Sequence, residues 1–240
     1  MITTGFPTPL EHAKPLNVLI TAGPTQEPID DVRFIGNRSS GQLGLALARE
    51  AVSRGHKVTL LLGPVPARES GDFNITLTGI RTHGTVLRFR TTEDLRRQLL
   101  EHSPNAEAVI MSAAVADYRP KGGSSSGKIR RGESSFTIEL ESTPDLLAML
   151  GSNRQPGQLL VGFALEPPER LEQSAREKLQ RKAIDLIVAN PLETMESGEI
   201  KARVLGRRGE DIATDGKISK SEFAPWLLNI VESVHATLSA

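Results

Sequence analysis

Residues Asn17-Val-Leu-Ile-Thr-Ala22 form a run of apolar and β-branched side chains without polar alternation, and a glycine-rich turn and an amphipathic segment follow directly. A strand that is apolar on both faces needs cover on both faces, which a parallel sheet flanked by helices supplies. After the turn, Leu43, Leu47 and Ala51 recur every four residues with Ala48 and Val52 beside them, so a helix is expected from Ser39 or Ser40 to the stop signal Arg54-Gly55. Lys57-Val-Thr-Leu-Leu-Leu62 reads as the next buried strand. The same alternation predicts strands at 86–90, 108–115, 158–164 and 184–189, and helices at 92–102, 144–150 and 168–181. Strands and helices of these lengths in this order give an α/β protein with a doubly wound, mostly parallel sheet. Ligands of such sheets bind beyond the carboxyl ends of the strands.

Two segments interrupt the pattern. Phe136, Ile138 and Leu140 alternate with polar residues, and Arg203-Val-Leu205 precedes a turn-rich stretch at 206–211. Each is expected to be one arm of a small antiparallel excursion from the Rossmann-like sheet, forming a subdomain or a dimer contact. Residues 1–16 carry Pro7, Pro9 and Pro15 with little periodicity and read as a disordered lead-in, leaving 17–240 as a single domain. Lys121-Gly-Gly-Ser-Ser-Ser-Gly127 has the composition of a flexible connection, so 121–128 is expected to be a mobile loop.

Composition removes whole classes of function. Lysine plus arginine number 29 against 29 aspartate plus glutamate, which gives no electrostatic case for a nucleic-acid or membrane partner. The absence of cysteine excludes disulfides, thiolate nucleophiles and cysteine-held metals. The start of the sequence lacks the basic and apolar pattern of an export signal, and no apolar run reaches the roughly 18 residues a membrane span needs, so a cytoplasmic protein is expected. His12, His56, His83, His102 and His235 show no paired metal-ligand spacing, and no serine sits in a G-x-S-x-G elbow.

The chemistry-bearing stretches can be tested one at a time. Gly36-Asn-Arg-Ser-Ser-Gly41-Gln-Leu-Gly44 opens a helix with glycines, which lets phosphate oxygens approach backbone N–H groups. It has P-loop glycine spacing, but Gln42-Leu43 stand where lysine and a hydroxyl residue would hold phosphate and magnesium. A dinucleotide fold wants an acidic residue at the end of the second strand, which here ends Leu61-Leu62-Gly63-Pro64. An NAD(P)-dependent oxidoreductase is the alternative this disfavours, and the only tyrosine, Tyr118, lacks the lysine four residues on that a short-chain reductase uses. An ordinary helix start would explain the glycines alone; the amide and guanidinium of Asn37-Arg38 just before it add an anion or carboxylate site.

Ser112-Ala-Ala-Val-Ala-Asp117 ends a central strand with small side chains, which either pack under a helix or leave backbone open to a planar base. Lys128-Ile-Arg-Arg131 puts three cations in four residues beside the glycine and serine loop, a solvated surface or a lid bringing Lys128 over a polyphosphate. Lys178 and Lys182 share a helix face, where they either complement the helix dipole or grip phosphate.

Taken together the chain resembles phosphopantothenate–cysteine ligase, also called phosphopantothenoylcysteine synthetase, from Asn17 to about Asn190. The motifs that carry the resemblance come in order: Ile20-Thr-Ala-Gly-Pro-Thr-Gln-Glu-Pro-Ile-Asp30, Val32-Arg-Phe-Ile35, Asn37-Arg-Ser-Ser-Gly41, Ser112-Ala-Ala-Val-Ala-Asp-Tyr-Arg119, Lys128-Ile, Thr143-Pro-Asp145, Gly162-Phe-Ala-Leu-Glu166 and Ala175-Arg through Lys182. The resemblance implies a stand-alone bacterial-type form without the flavin-dependent decarboxylase half to which the family is often fused. It implies an enzyme of coenzyme A synthesis that activates 4′-phosphopantothenate as an acyl-nucleotide, from CTP rather than ATP, and then joins it to L-cysteine.

By the same resemblance Lys128 stabilises the charge of the first step and Asn37 holds the acyl-nucleotide for the second, with Arg38 beside it on the substrate. Ser39, Gly41, Ala113, Ala114, Asp117 and Phe163 bind the nucleotide, and Lys178 and Lys182 meet its triphosphate. Magnesium neutralises the phosphates, with Asp117 as its candidate ligand. A homodimer with the pocket near the subunit interface is implied as well. Two stretches depart from the family pattern: Gly36 replaces a hydroxyl residue, and residues 191–203 lack the usual Gly-Phe-x-Ser-Asp-x-Asn run, where Lys201 is a possible substitute. That second departure keeps a non-catalytic nucleotide-binding subunit open as a further alternative.

Overall fold

The computed structural model describes residues 2–5, 7–9, 14–65, 71–132, 135–194 and 198–238. Its main sheet contains β1 (Thr3–Thr4), β2 (Asn17–Ala22), β3 (Lys57–Leu62), β4 (Gly84–Arg88), β5 (Ala108–Met111), β6 (Leu159–Glu166), β7 (Leu186–Pro191), β8 (Arg203–Gly206) and β9 (Asp211–Ala213). Their spatial order is β1-β9-β8-β7-β6-β5-β2-β3-β4. All neighbours from β7 through to β4 run parallel; β8 is antiparallel to both β7 and β9. The helices are α1 (Gln42–Ser53), α2 (Gly71–His83), α3 (Thr92–His102), α4 (Leu146–Ser152), α5 (Leu171–Arg181) and α6 (Lys220–Leu238).

The two-residue period of a strand sorts its side chains into two cores. Val18, Ile20 and Ala22 of β2, Leu60 and Leu62 of β3 and Ile110 of β5 face α1, α2 and α6. Leu19, Leu61, Val109 and Leu160 point the other way, onto Leu95 and Leu99 of α3, Leu146 and Leu150 of α4 and Leu179 of α5. Unbroken apolar strands are therefore what this architecture requires, and each fully buried leucine contributes about 2 kcal/mol of apolar transfer.

Several elements differ from expectation. Helix α1 starts at Gln42 rather than at the serines, because Gly41 at its N-cap takes a left-handed φ of 68°. Strand β5 stops at Met111 rather than Val115, since Ala113 leaves the ladder to bond the Thr21 side chain of β2 and Ala114 to bond Gly23 just after it. Helix α2 was not anticipated; Leu77 and Ile80 bury its described face. The Arg203–Gly206 strand joins the main sheet instead of a subdomain, because its buried Val204 and Leu205 complete the two cores. The paired arm near 136–140 is Leu140–Ser142, antiparallel to Tyr118–Pro120. Residues Gln26–Pro28 and Phe34–Gly36 make a second small ribbon.

The described part of the expected disordered lead-in is docked. β1 pairs with β9, the Trp226 Nε1–H donates to the Gly5 carbonyl at 2.9 Å, and the Asn229 side-chain amide donates to the Pro7 carbonyl at 2.8 Å. These bonds satisfy backbone groups that a free segment would leave to water.

Candidate active site

From β2 the chain winds outward through β3 to β4, and from β5 it winds the other way through β6 to β7, so the direction reverses between β2 and β5. At such a switch point the loops leave the strand ends in opposite directions and open a crevice. Here the two loops are stitched together at its floor. Ala113 N–H donates to Thr21 Oγ1 at 3.0 Å, Ala114 N–H to the Gly23 carbonyl at 3.0 Å, Thr25 N–H to the Ala114 carbonyl at 3.1 Å, and Ala116 N–H to Thr25 Oγ1 at 2.8 Å. Glycine lets α1 enter this space: a Cβ on Gly44 would stand 2.5 Å from the Ala22 Cβ and 2.7 Å from Ser112 Oγ. Ser39 Oγ accepts from Gly41 N–H at 3.3 Å, while no side chain caps α1 itself.

Asn37 lies at the base of the ribbon at 26–36, and its Nδ2 donates to the Val115 carbonyl at 2.8 Å. This single bond joins the Asn37-Arg-Ser-Ser-Gly41 and Ser112–Asp117 motifs. Arg38 stands beside it, exposed, with no side-chain partner among the described residues. Asp117 is exposed, and its backbone carbonyl accepts from Thr143 N–H at 2.9 Å while Thr143 Oγ1 donates to the Ala116 carbonyl at 2.5 Å. Thr143 thus fixes the end of the small-residue segment, a role signalled in the sequence only by its place in a quoted motif.

The tip of the same ribbon touches the loop expected to be mobile. Asp30 accepts from Ile129 N–H at 3.1 Å and Asp31 from Gly127 N–H at 3.1 Å, so the end of the 121–128 loop is tied down on both sides of Lys128. Burial would raise the Asp30 carboxyl's pKa, but the Val32, Arg33 and Ile129 N–H groups and the Arg33 guanidinium outweigh it and hold the pKa below the usual range. The Lys128 ammonium is exposed and has no partner among the described residues.

Phe163 is half-buried on β6, in register with Val188 of β7. Lys178 and Lys182 are both ion-paired: Lys178 Nζ to Glu166 at 2.7 Å, and Lys182 Nζ to Asp145 at 3.1 Å. The Lys178 hydrogen bond holds the Glu166 carboxyl below its ordinary pKa. Burial works against ionisation of Asp145, but the Ala148 N–H that it caps and the Lys182 ammonium prevail and lower its pKa. Sequence reasoning placed both acids in motifs but not against these lysines, because the pairing is set by tertiary placement. The structure therefore brings Asn37, Ser39, Gly41, Ala113, Ala114 and Asp117 to one crevice. It ties Lys128 to the ribbon that carries Asn37, and holds Lys178 and Lys182 against acids of neighbouring elements.

Among the described residues no group of three or more carboxylate or imidazole side chains is placed to hold a metal ion, and no helix is long and apolar enough to cross a membrane. One lone exposed acid, Asp117, fits magnesium only in the manner of an ion carried chiefly by substrate phosphates.

Residues 13–234 match the model of the DNA/pantothenate metabolism flavoprotein C-terminal domain. The chain is 43% identical over 189 residues to a cysteine/cysteine sulfinic acid decarboxylase of an unknown prokaryotic organism, covering 77% of this chain and 49% of that protein. It is 32% identical over 222 residues to the coenzyme A biosynthesis bifunctional protein CoaBC of Borreliella burgdorferi, covering 92% of this chain and 53% of that protein. The chain thus spans about half the length of these curated relatives. In three dimensions it is similar to the crystal structure of the C-terminal domain of a CoaBC protein, with a TM-score of 0.73 and 35% identity over 91% of this chain and 95% of that one. The chain belongs to the DNA/pantothenate metabolism flavoprotein C-terminal domain family.

Proposed function

We propose that this protein is the ligase that joins 4′-phosphopantothenate to L-cysteine through an acyl-nucleotide, a step of coenzyme A synthesis. The observation that carries the reading is the Asn37 bond to Val115, which unites two motifs at the switch-point crevice of a chain with this family membership. In the first step a carboxylate oxygen of 4′-phosphopantothenate attacks the α-phosphorus of the nucleoside triphosphate and the bond to pyrophosphate breaks. In the second the cysteine amine attacks the acyl carbon, the nucleoside monophosphate leaves with the bonding electrons, and the amine sheds a proton. Both steps gather negative charge, and fixed donors or cations aimed at that charge lower the barrier.

Lys128, with no side-chain partner among the described residues, is the cation for the first step. Asn37 serves the second: its bond to the Val115 carbonyl uses one amide N–H and leaves its Oδ1 for the acyl-nucleotide. The first turn of α1 with Ser39 and Gly41, the backbone at Ala113 and Ala114, and Phe163 take the nucleotide. Arg38 meets the substrate, and Lys178 and Lys182 approach the triphosphate by exchanging their carboxylate partners for phosphate. Bound magnesium would neutralise the triphosphate, held by its oxygens with Asp117 as the protein ligand.

CTP is the proposed nucleotide, on the bacterial look of the Ser112–Asp117 stretch. A homodimer completes the reading: of the eight large apolar side chains exposed among the described residues, Val32, Phe34, Tyr118, Phe136 and Leu140 lie on or next to the two small ribbons beside the crevice. Sedimentation reads whether the 26.0 kDa chain runs at twice its mass.

The test mixes the protein with 4′-phosphopantothenate, magnesium and CTP or ATP, with and without cysteine. Pyrophosphate, CMP and a cysteine-dependent amide product are expected. Turnover with ATP alone overturns the nucleotide; tight nucleotide binding with no product from either favours the non-catalytic subunit.

A further inference from the structure

The ribbon that carries Asn37 at its base is closed at its tip by a turn at 29–33. Ile29 N–H donates to the Arg33 carbonyl at 2.8 Å, and Asp30 Oδ1 accepts from Val32 and Arg33 N–H at 2.8 and 2.7 Å. The second oxygen of Asp30 accepts from Ile129 N–H at 3.1 Å and pairs with the Arg33 guanidinium at 3.3 Å, and that guanidinium also donates to the Ile129 carbonyl at 3.2 Å. Gly127 N–H donates to Asp31 and Ser125 N–H donates to the Ile29 carbonyl, at 3.1 and 3.0 Å. Lys128 is thus flanked by two fastened amides. The Asp30 side chain is 0% exposed, so water does not compete for these bonds. A buried carboxylate that spends both oxygens on backbone N–H groups of two separate segments fixes their relative position in a way a glycine and serine loop does not do by itself.

We propose that Asp30 is a positioning residue: by clasping the 127–129 backbone to the tip of the ribbon that bears Asn37, it sets where the Lys128 ammonium stands over the reacting phosphate. This rests on the ligase reading for its catalytic consequence, but the clasp itself is testable without any substrate. Asp30→Asn is the informative variant. Its amide oxygen still closes the turn, while its NH2 meets the Ile129 N–H and the Arg33 guanidinium donor to donor.

In the ligand-free protein, hydrogen exchange at the Ile129 amide is expected to speed up by about tenfold or more, as expected when a buried charge-assisted bond is lost. In turnover, pyrophosphate release is expected to slow by about 10- to 100-fold with little change in KM for 4′-phosphopantothenate, since displacement of a catalytic group by about 1 Å costs that much. Amide formation from supplied acyl-nucleotide should stay near the wild-type rate. Combining Asp30→Asn with Lys128→Ala should add nothing to Lys128→Ala alone, the sign that one residue acts through the other.

Unchanged exchange at Ile129 would overturn the clasp. Faster exchange with wild-type pyrophosphate release, or additive losses in the double variant, would overturn the positioning role while leaving the clasp standing. A wild-type protein that makes no acyl-nucleotide at all would instead overturn the ligase reading, with the exchange result still deciding the clasp. Should Asp30→Asn lose its fold, Asp31→Ala removes only the exposed acceptor of the Gly127 N–H and is expected to give the same pattern in smaller measure.

Discussion

Asn37 and Lys128 come from separate stretches of chain and are proposed for different half-reactions, so their substitutions should separate. Lys128→Ala is expected to slow acyl-nucleotide formation by about 100-fold or more, the range of a lost transition-state donor, and to leave the amide step from supplied intermediate much less affected. Asn37→Asp should do the reverse, because a new negative charge beside the acyl-nucleotide opposes the second step. Rapid-quench measurement of the two steps reads both, and equal loss of both in both variants would sink the division of labour. At this scale the sequence revealed side chains whose chemistry is local. Asn37, Ser39 and Gly41 announce themselves by standing at a helix start. Asp30 does not, because the group that gives it meaning is Ile129, 99 residues away. For the same reason Lys178 and Lys182 read as loose cations and prove to be paired, with Glu166 and with Asp145.

Elements were legible where side-chain period and capping agree. Helix α3 runs over the anticipated 92–102 because Thr91 and Asp94 cap its start reciprocally: Thr91 Oγ1 accepts from Asp94 N–H at 3.1 Å and Asp94 from Thr91 N–H at 3.0 Å. Thr91→Ala is therefore expected to destabilise the fold by about 1 kcal/mol, a fall of about 2–4 °C in Tm for a chain of this size, read by calorimetry. No change in Tm would mean that tertiary packing alone holds that helix. Helix α2 escaped notice for the opposite reason. Its stretch Asn74-Ile-Thr-Leu-Thr-Gly79 is poor in helix formers, and burial of Leu77 and Ile80 overrides propensity there. The end of β5 is not legible because the hydrogen bonds that draw Ala113 and Ala114 away come from Thr21 of β2 and Gly23 just after it, some 90 residues earlier.

For the molecule as a whole, acid should be the weak point. The pKa values of Asp145, Glu166, Glu172, Asp211 and Glu222 are all held down in the folded state; for Glu172 and Asp211 the leading cause is the hydrogen bond from Arg203 that ties α5 to β8 and β9. A carboxyl with a lowered folded pKa binds fewer protons folded than unfolded. Its contribution is therefore present above the unfolded value and is lost as pH falls through the folded one. His235, pushed down by burial despite Glu107, acts with the same sign from a higher starting point. Stability by urea titration is expected to be flat at neutral pH, to decline gently below about pH 6.5 and steeply below about pH 4.5. A maximum below pH 5 would contradict this account.

The doubly wound plan is legible because unbroken apolar strands admit few other arrangements; the order of its edge is not, since it depends on contacts between residues far apart in the sequence. Trp226 reaches Gly5 across 221 residues, Asn229 reaches Pro7 across 222, and the buried His56, which accepts from Leu16 N–H through Nδ1, uses Nε2 to meet Glu232 across 176. Synthesis on a ribosome proceeds from the N-terminal side, so Gly5 and Pro7 must wait until α6 emerges before they meet these partners. The alternating strands and helices in between have close neighbours in sequence and need no such delay. The nascent chain would then assemble its crevice first and fasten its margin last, when α6 clears the exit tunnel.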